Sequence, residues 1–471
     1  MPQTAKNENI EKGNMQKQPS ENVKNTEKKQ KRNYPFFAIE NPIEENRIPV
    51  FIKTMEAVLK DDKYRLLLDL YLNTCASCNS CADQCHLYQT THEEKDLPAY
   101  RSNMLRAVYR KYFTTSGKLL GGFVGAKALK EDDIDNMIES FYRCTMCRRC
   151  AVECPMGVDN ALITRIGRCV IGELNLAPKN FTVSSYQQLY GVGNTSSIPK
   201  EAFIDTLDFL QDEIKDMTGH SVEFPRDKVG AEYLFIAPVS DYIMEADTLM
   251  GTAMTLQAAG ADWTIGTGYY DAINYGLFYS DTVTADALNK LLAEAYRLKV
   301  KKILIGECGH ATKTAKLFVD VFGKHQFPIQ NVMEYTAEAI KKGRVKLNPE
   351  VNQETVTYHD PCNLGRGLGI YEPPRNIVKA AVKHFVELQP NREKNYCCGG
   401  GGGSVTVPDM YNFRMNLAGI KKVEQIKASG AKYLAAPCAN CKKQLKELVE
   451  YHKLPVTVVG VHDLLIRALL M

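Results

Sequence analysis

The chain has 471 residues, of which 44% are hydrophobic and 24% charged, a composition typical of a protein with well-formed cores. Its length predicts about three domains. No stretch of about 18 apolar residues occurs, so we expect no transmembrane helix. The first residues also lack the apolar segment of a secretory signal, which predicts a cytoplasmic protein. Its fifteen cysteines are then expected to be metal ligands or catalytic thiols, since cytoplasmic thiols stay reduced.

The net charge of +4 is concentrated in one segment. Residues 1–33 contain eight Lys or Arg and four Glu, and the remaining residues carry equal numbers of each sign. This segment is poor in apolar residues and is predicted to be a disordered basic tail. It is either a solvated leader or a contact for an anionic membrane surface. The neutral remainder argues against nucleic acid as a partner, because nucleic acid requires a basic patch.

Apolar residues at helical spacing dominate the chain after the tail. A helical segment is predicted over residues 34–72, and a mostly helical domain over residues 73–190. The apolar faces of three helices in this domain are formed by Met104, Leu105, Val108, Tyr109 and Tyr112, by Ile134, Met137, Ile138 and Phe141, and by Leu162, Ile166, Cys169 and Val170.

Short apolar strands alternate with helices from about residue 232, which predicts parallel sheets built from βαβ units. The candidate strands are Tyr233–Ala237, Trp263–Gly266, Ile303–Gly306, Val356–His359, Tyr433–Ala436 and Val456–Val459. This region also repeats itself, because KKILIGEC ending at Cys308 matches AKYLAAPC ending at Cys438. Residues 228–345 and 354–471 are therefore predicted to be two copies of one α/β unit. The fold class is multidomain α+β.

Eight cysteines form two runs with the spacing C-x2-C-x2-C-x3-C. The first run is Cys75, Cys78, Cys81 and Cys85; the second is Cys144, Cys147, Cys150 and Cys154, followed by Pro155. This spacing is typical of proteins with two [4Fe–4S] clusters, in which the fourth cysteine of each run usually ligates the other cluster. Zinc is disfavoured, because a zinc site uses two pairs of ligands. Next to Cys85, His86 is either a ligand or a helix-start or surface histidine, and Cys169 is interpreted as a buried structural thiol.

A third constellation consists of Cys362, the vicinal pair Cys397–Cys398, and Cys438-x2-Cys441. Side chains of adjacent residues in extended backbone point in opposite directions, so a vicinal pair suits a large or irregular cluster. The glycines that follow, beginning with Gly399 and Gly400, would let the backbone approach the inorganic core.

The pattern HDPCN…NYCCGGGGG…PCANC resembles the CCG domain of heterodisulfide reductases. The order of motifs is similar to that of the D-type subunit and of the DsrK, HmcF and TmcB proteins, most of all the K subunit of the Dsr membrane complex. The resemblance covers roughly residues 70–471. It implies a helical two-cluster ferredoxin module followed by two CCG-type repeats, with two cubane [4Fe–4S] clusters. It also implies that the five cysteines of the third constellation, here called the CCG cysteines, hold a non-cubane [4Fe–4S] cluster.

The first repeat has lost most of the family's ligands. Val239 stands where the second repeat has Cys362, and Ala311 where it has Cys441, so only Cys308 remains. We therefore expect one non-cubane cluster. Cys308 is predicted to lie near it as a catalytic or substrate-facing thiol, or else as a buried relic.

Two further residues are candidates for catalysis. His310 could donate a proton to a leaving thiolate, or be an ordinary core histidine. Arg366 could hold an anionic sulfur species.

The resemblance implies an oxidoreductase subunit, peripheral on the inner face of the cell membrane. Electrons would pass between a quinol-linked cytochrome b partner and a disulfide or trisulfide on a small thiol protein or molecule. Residues 34–72 are the predicted docking surface within this redox complex. The sequence has no dinucleotide-binding fingerprint, so we expect the protein to bind neither flavin nor NAD. Two alternatives remain, an electron-transfer subunit of a flavoprotein dehydrogenase and an iron–sulfur protein without turnover.

Overall fold

The computed structural model describes residue 32 and residues 34–322 and 327–471. The predicted basic tail over residues 1–33 thus lies outside the described residues, apart from Arg32. Within the described ranges, no helix is both long and apolar enough to cross a bilayer.

In the part of the chain that the structure describes, ten helices precede the first strand, as the apolar spacing predicts. Asp159 accepts hydrogen bonds from the backbone N–H groups of Ala161 and Leu162 and so begins the helix that follows the second run. The ten helices are α1 (Arg47–Lys60), α2 (Arg65–Thr74), α3 (Tyr88–Thr91), α4 (Pro98–Phe113), α5 (Thr115–Leu120), α6 (Glu131–Arg143), α7 (Arg149–Val152), α8 (Asn160–Gly172), α9 (Lys179–Tyr190) and α10 (Lys200–Thr218).

The first α/β region is a four-stranded parallel sheet with strand order β2-β1-β3-β4. All four residues of β1 are buried, as is expected when helices cover both faces of a parallel sheet. Its elements are β1 (Tyr233–Ile236), α11 (Val239–Met244), α12 (Ala246–Ala258), β2 (Trp263–Ile265), α13 (Asp281–Arg297), β3 (Lys302–Ile305), α14 (Gly309–Phe322), β4 (Ile329–Asn331) and α15 (Val332–Lys341).

The second α/β region is also a four-stranded parallel sheet, and its order β6-β5-β7-β8 is equivalent to that of the first. Its elements are β5 (Thr355–Tyr358), α16 (Gly365–Leu368), α17 (Glu372–Ala381), β6 (His384–Glu387), α18 (Tyr411–Phe413), α19 (Ile420–Ser429), β7 (Tyr433–Ala435), α20 (Ala439–Tyr451), β8 (Thr457–Val459) and α21 (Leu465–Ala468). A π-helical turn at Arg414–Ala418 lies between α18 and α19.

Short 3₁₀ segments complete the chain. They are Glu94–Asp96, Gly121–Val124, Tyr275–Phe278, Pro349–Val351, Arg392–Lys394, Ser404–Thr406, Pro408–Met410 and His462–Leu464.

The loops that follow β3 and β7 meet face to face. The N–H of Ala439 donates to the carbonyl of Glu307 at 3.0 Å. The buried Glu307 carboxylate in turn pairs with His462 Nδ1 at 2.7 Å. These contacts bring the carboxyl ends of the two sheets together, and this is where the cysteines of the α/β regions lie.

Candidate iron–sulfur centres

The two ferredoxin-type runs share one backbone conformation. Ser77 and Asn79 in the first run have φ of 53° and 59°, and Met146 and Arg148 occupy the same positions in the second run with φ of 51° and 64°. This left-handed conformation is uncommon for residues other than glycine. Two such residues curl each loop tightly, which is the shape that three thiols from one loop need to surround a cluster.

One group of thiols combines the first run with the end of the second. Burial raises the pKa of the Cys81 thiol, and the nearby thiols of Cys75 and Cys154 raise it further. Cys78 belongs to the same loop and is exposed, whereas Cys81 is buried. This group therefore lies close to the protein surface.

The other group combines the second run with the end of the first. Burial raises the pKa of Cys150, as do the adjacent thiols of Cys147, Cys85 and Cys144. The fourth cysteine of each run thus lies with the first three of the other run, the arrangement found where two clusters exchange their fourth ligands.

The CCG cysteines collect at the carboxyl ends of three neighbouring strands. Cys362 follows β5, the pair Cys397–Cys398 follows β6, and Cys438 follows β7, while Cys441 lies in the first turn of α20. The carboxyl edge of an open parallel sheet is the usual place for a ligand in such folds. Four of these thiols are buried, and Cys362 is half-buried.

The CCG thiols lie close enough to share protons. The sulfur atoms of Cys398 and Cys441 are 3.6 Å apart. Hydrogen bonding from Cys397 lowers the pKa of Cys398 well below its ordinary value, whereas hydrogen bonding to Cys398 raises the pKa of Cys441. Such a packed set of soft donors suits iron held by thiolates.

His359 lies beside this group. Its ring, the Cys398 sulfur and the Cys441 sulfur each offer one ligand atom within 4.8 Å of the others. Asn395 Nδ2 lies 3.4 Å from His359 Nδ1. Burial lowers the pKa of His359, and its interaction with the Cys398 thiol opposes this shift.

The glycine run has two roles in the structure. The N–H of Gly399 donates to the sulfur of Cys397 at 3.4 Å, and Gly400 packs against Gln444. Gly401 lies against the ferredoxin-type module, where an added Cβ would lie 2.4 Å from the carbonyl oxygen of Thr145. Because Gly401 has no side chain, its backbone can pack closely against the ferredoxin-type module. From the sequence alone, the glycines are expected to bring the backbone close to the inorganic core.

The second run touches the CCG cysteines directly. The thiols of Cys147 and Cys397 lie beside each other, and their interaction lowers the pKa of Cys147 and raises that of Cys397. Arg366 fixes this junction by donating to the carbonyls of Cys147 at 2.6 Å and Asn395 at 2.7 Å. Its Nη2 is buried and has no hydrogen-bond partner within the described ranges.

Cys308, in the loop after β3, contacts Cys438, in the loop after β7. This contact, together with burial, raises the pKa of Cys308 well above its ordinary value. His310 is also buried, and burial lowers its pKa to about 4. His310 Nε2 lies 2.9 Å from the carbonyl oxygen of Asn274, whereas Nδ1 has no partner among the described residues.

The structure places two histidines beside the cysteine groups. His86 lies two residues before α3, as a helix-start residue would, but it is buried with Nδ1 3.9 Å from the Cys147 sulfur, so its interpretation as a surface residue is wrong. In the sequence, His359 stands out only as part of a motif. Its position three residues before Cys362, at the end of a buried strand, is the signal that could have identified it. Cys169 is buried, as predicted.

Two regions of the chain match known domain families. Residues 71–158 match the 4Fe-4S dicluster domain, and residues 356–446 match the Cysteine-rich domain, CCG.

Relatives align along most of the chain. The Hdr-like menaquinol oxidoreductase iron-sulfur subunit 2 of Archaeoglobus fulgidus is 28% identical over 93% of this chain and 87% of its own length. The D-type subunit of the dihydromethanophenazine:CoB--CoM heterodisulfide reductase of Methanosarcina mazei is 26% identical over 84% of this chain and 94% of its own. The EtfAB:quinone oxidoreductase of Syntrophomonas wolfei is 24% identical over 79% of this chain but only 54% of its own.

A dicluster domain joined to a cysteine-rich domain defines an iron–sulfur oxidoreductase subunit. The chain carries a CCG domain and is similar along most of its length to the D-type subunit of heterodisulfide reductase.

Proposed function

We propose that the chain is the electron-transfer and catalytic subunit of a membrane-associated, heterodisulfide reductase-like complex. Electrons pass between a quinol-linked cytochrome b partner and a disulfide or trisulfide on a small protein or molecule. The observation that carries this proposal is the contact between the thiols of Cys147 and Cys397. It joins a ferredoxin-type group to the CCG cysteines, so that three clusters would stand in series.

The residues present fit three clusters. Each group of four ferredoxin-type cysteines would hold one cubane [4Fe–4S] cluster, and the five CCG cysteines one non-cubane [4Fe–4S] cluster. The packed sulfur atoms of Cys398 and Cys441, 3.6 Å apart, support this assignment. Bound clusters supply one-electron steps at potentials set by hydrogen bonds and burial. Neither flavin nor NAD has a place in the proposal.

The proposed reaction is a two-electron reduction. A disulfide takes up two electrons and two protons, its S–S bond breaks, and two thiols leave. The quinol supplies both electrons through the cytochrome partner. A trisulfide reduced in the same way yields a thiol and a persulfide.

The surrounding residues exclude water and hold charge at the proposed centre. The unpartnered Nη2 of Arg366 is available to an anionic sulfur species. Nδ1 of His310 is the atom that would take up a proton and pass it on. Because its pKa is about 4, His310 is neutral near pH 7 and acts only by first gaining this proton. Cys308, in contact with Cys438, would face the substrate.

The first α/β region is proposed to be a degenerate CCG repeat. Its strand order is equivalent to that of the second, but Val239 and Ala311 replace two ligand cysteines. We accordingly propose a ferredoxin-type domain over residues 73–190, a degenerate repeat over residues 228–345 and a complete CCG domain over residues 354–471.

The contact with the membrane subunit is proposed to lie near the cysteine group that contains the exposed Cys78. Within residues 34–72, α2 exposes Leu66 and Leu70. A second exposed apolar segment, formed by α5 and the 3₁₀ turn after it, contains Leu119 and Phe123, which are 79% and 99% exposed. Exposed apolar side chains at this density mark interaction surfaces. These surfaces would attach the chain to the inner face of the membrane through its partner.

The test is disulfide-dependent oxidation of a reduced viologen dye by anaerobically purified protein. The Cys397→Ser variant should lose more than about 100-fold of the rate, because it removes a proposed ligand at the junction. The Cys169→Ser variant removes a buried thiol outside all three groups of cysteines and should retain the wild-type rate. Equal rates in wild type and Cys397→Ser would contradict the proposal, as would zinc in place of iron.

A further inference from the structure

Lys422 is buried in the protein interior beside the CCG cysteines. It lies in the first turn of α19, directly after Lys421, and the sequence alone does not distinguish the two. Lys421 is partly exposed and pairs with Glu424 at 2.9 Å, whereas Lys422 is fully buried. A buried charge is costly unless an opposite charge pairs with it. Lys422 forms no ion pair with any of the described residues.

In the part of the chain that the structure describes, only neutral amides accept hydrogen bonds from this side chain. Lys422 Nζ donates to Asn395 Oδ1 at 2.8 Å and to the side-chain oxygen of Gln425. Gln425 in turn donates to the carbonyl of Pro390. The two amides therefore fix the position of the ammonium group but leave its charge uncompensated.

The carboxylate of Asp360 is already paired. It accepts from both terminal nitrogens of Arg375 at 2.6 Å and from the backbone N–H of Arg392 at 2.8 Å. Arg366 also lies near the CCG cysteines, but it belongs to the junction with the second run, where it donates to the carbonyl of Cys147. The positive charge of Lys422 is thus left for another partner.

The thiols supply the missing negative charge once they hold iron. Burial lowers the pKa of Lys422 to about 7, and the negative charges of Asp360, Cys398 and Cys397 oppose this shift. Cysteines that bind a metal are deprotonated, so a centre held by five of them is anionic. An unpaired ammonium group beside such a centre can act as its counter-charge.

Asn395 connects this ammonium group to His359. Because an ammonium group only donates hydrogen bonds, the amide oxygen of Asn395 faces Lys422 and its Nδ2 faces away. Nδ2 donates to the carbonyl of Asp360 at 2.8 Å and lies 3.4 Å from His359 Nδ1. The His359 ring offers a ligand atom within 4.8 Å of the Cys398 sulfur. A chain of polar side chains thus leads from the buried charge to the CCG cysteines.

We propose that Lys422 is the counter-charge of the non-cubane cluster and raises its reduction potential. The inference rests on the proposed function, which assigns this cluster to the CCG cysteines, and adds a residue outside the ligand set. Reduction by one electron from the quinol-linked partner adds one negative charge beside the ammonium group, so Lys422 favours the reduced state. Lys422 is a positioning residue, which acts through its charge and through Asn395.

The test is a redox titration of the iron-loaded protein, followed by electron paramagnetic resonance. Lys422→Met keeps an unbranched side chain but removes its charge. At a fixed potential, the ratio of reduced to oxidised non-cubane cluster should fall about 10-fold, which corresponds to about 59 mV in the midpoint potential of a one-electron couple. Lys422→Arg keeps the charge and should lie near the wild type.

Lys421→Met is the matched control. It removes the same charge one residue earlier, from a side chain that pairs with Glu424, and should leave the potential unchanged. The two cubane clusters provide an internal reference in every variant, and their potentials should change less than that of the non-cubane cluster.

Gln425→Glu tests the charge without altering Lys422 or any residue next to a cysteine. A carboxylate at this position accepts from the same ammonium group and neutralises it. The potential of the non-cubane cluster should therefore fall, as in Lys422→Met. This variant decides the question if Lys422→Met does not assemble the third cluster.

The outcomes separate this inference from the proposed function. An unchanged potential of the non-cubane cluster in Gln425→Glu and in iron-loaded Lys422→Met would overturn the inference and leave the function intact. An equal fall in Lys422→Arg and Lys422→Met would also overturn it, because the shape of the side chain and not its charge would then matter. A wild type with about eight irons and no non-cubane signal would instead overturn the proposed third cluster.

Discussion

The thiol of Cys147, in the loop after α6, lies beside the thiol of Cys397, in the loop after β6, and each shifts the pKa of the other. Arg366 donates to the Cys147 carbonyl and so holds the two loops together. A ferredoxin-type group and the CCG cysteines thus share a boundary with no intervening layer of side chains among the described residues. This proximity allows electrons to pass between clusters held on the two sides.

Removal of the thiol at this boundary should separate electron entry from the proposed catalytic cluster. In Cys147→Ser we expect loss of one cubane signal in electron paramagnetic resonance and a fall in dye oxidation of more than about 100-fold. The non-cubane signal should remain, because the five CCG cysteines are intact. Cys169→Ser is again the control. Retention of both cubane signals in Cys147→Ser would show that Cys147 is not a ligand.

Metal content tests the number of clusters. Anaerobically purified protein should contain about twelve irons per chain, four for each of three clusters. Removal of iron by a chelator should lower the unfolding temperature, because metal binding stabilises the folded state in which the ligands are assembled. A content of about eight irons, with all five CCG cysteines still reactive towards a thiol reagent, would contradict the assignment of the third cluster.

The fold is predictable where the sequence pattern is strong. Candidate strands coincide with six observed strands, and the cysteine spacing predicts two equivalent loops. The strands β4 and β6 are missed, and both lie at sheet edges. In β6, residues His384–Glu387 are exposed or half-buried, so the strand lacks a continuous apolar run.

Contacts between residues of separate sites cannot be predicted from the spacing of residues along the sequence. The contact of Cys147 with Cys397 depends on how separate loops pack. The contact between Cys308 and Cys438 is the exception, because their matching sequence contexts predict that the two loops meet. The structure places these two thiols in contact, while the catalytic role of Cys308 stays a prediction.

Cys308→Ser should separate a substrate-facing thiol from a ligand. We expect unchanged iron content and a fall in disulfide-dependent dye oxidation of about 10- to 100-fold, since Cys308 contacts the ligand Cys438 without completing the set of five. Loss of about four irons would make it a ligand, and an unchanged rate would make it a relic.

His359 should influence the non-cubane cluster without being needed for its assembly. Its buried ring lies with the sulfurs of Cys398 and Cys441, and its interaction with Cys398 lowers the pKa of that thiol. His359→Phe should retain iron but change the resonance spectrum and the reduction potential of the cluster. His359→Gln, which restores a polar atom, should lie nearer the wild type. Identical spectra in all three proteins would show that His359 does not interact with the cluster.

Asp241 should make stability depend on pH. Both carboxylate oxygens are buried without hydrogen-bond partners among the described residues, and burial raises the pKa to about 8. Because the pKa is higher in the folded state, the folded protein holds a proton that the unfolded chain releases. The stabilisation that this proton gives the folded state is complete at pH values below the pKa of Asp241 in the unfolded chain. It is lost as the pH rises through about 8.

Asp241→Asn should therefore flatten the pH profile of the free energy of unfolding. Between about pH 5 and 8 the wild type should lose at most about 1.4 kcal/mol per pH unit through this one group. The variant should lack that slope, so its stability relative to the wild type should increase with pH. Asp216→Asn, at an exposed position on α10, is the control and should follow the wild type. Denaturant unfolding under anaerobic conditions measures the profiles, and parallel curves for Asp241→Asn and the wild type would show that Asp241 does not carry the proton.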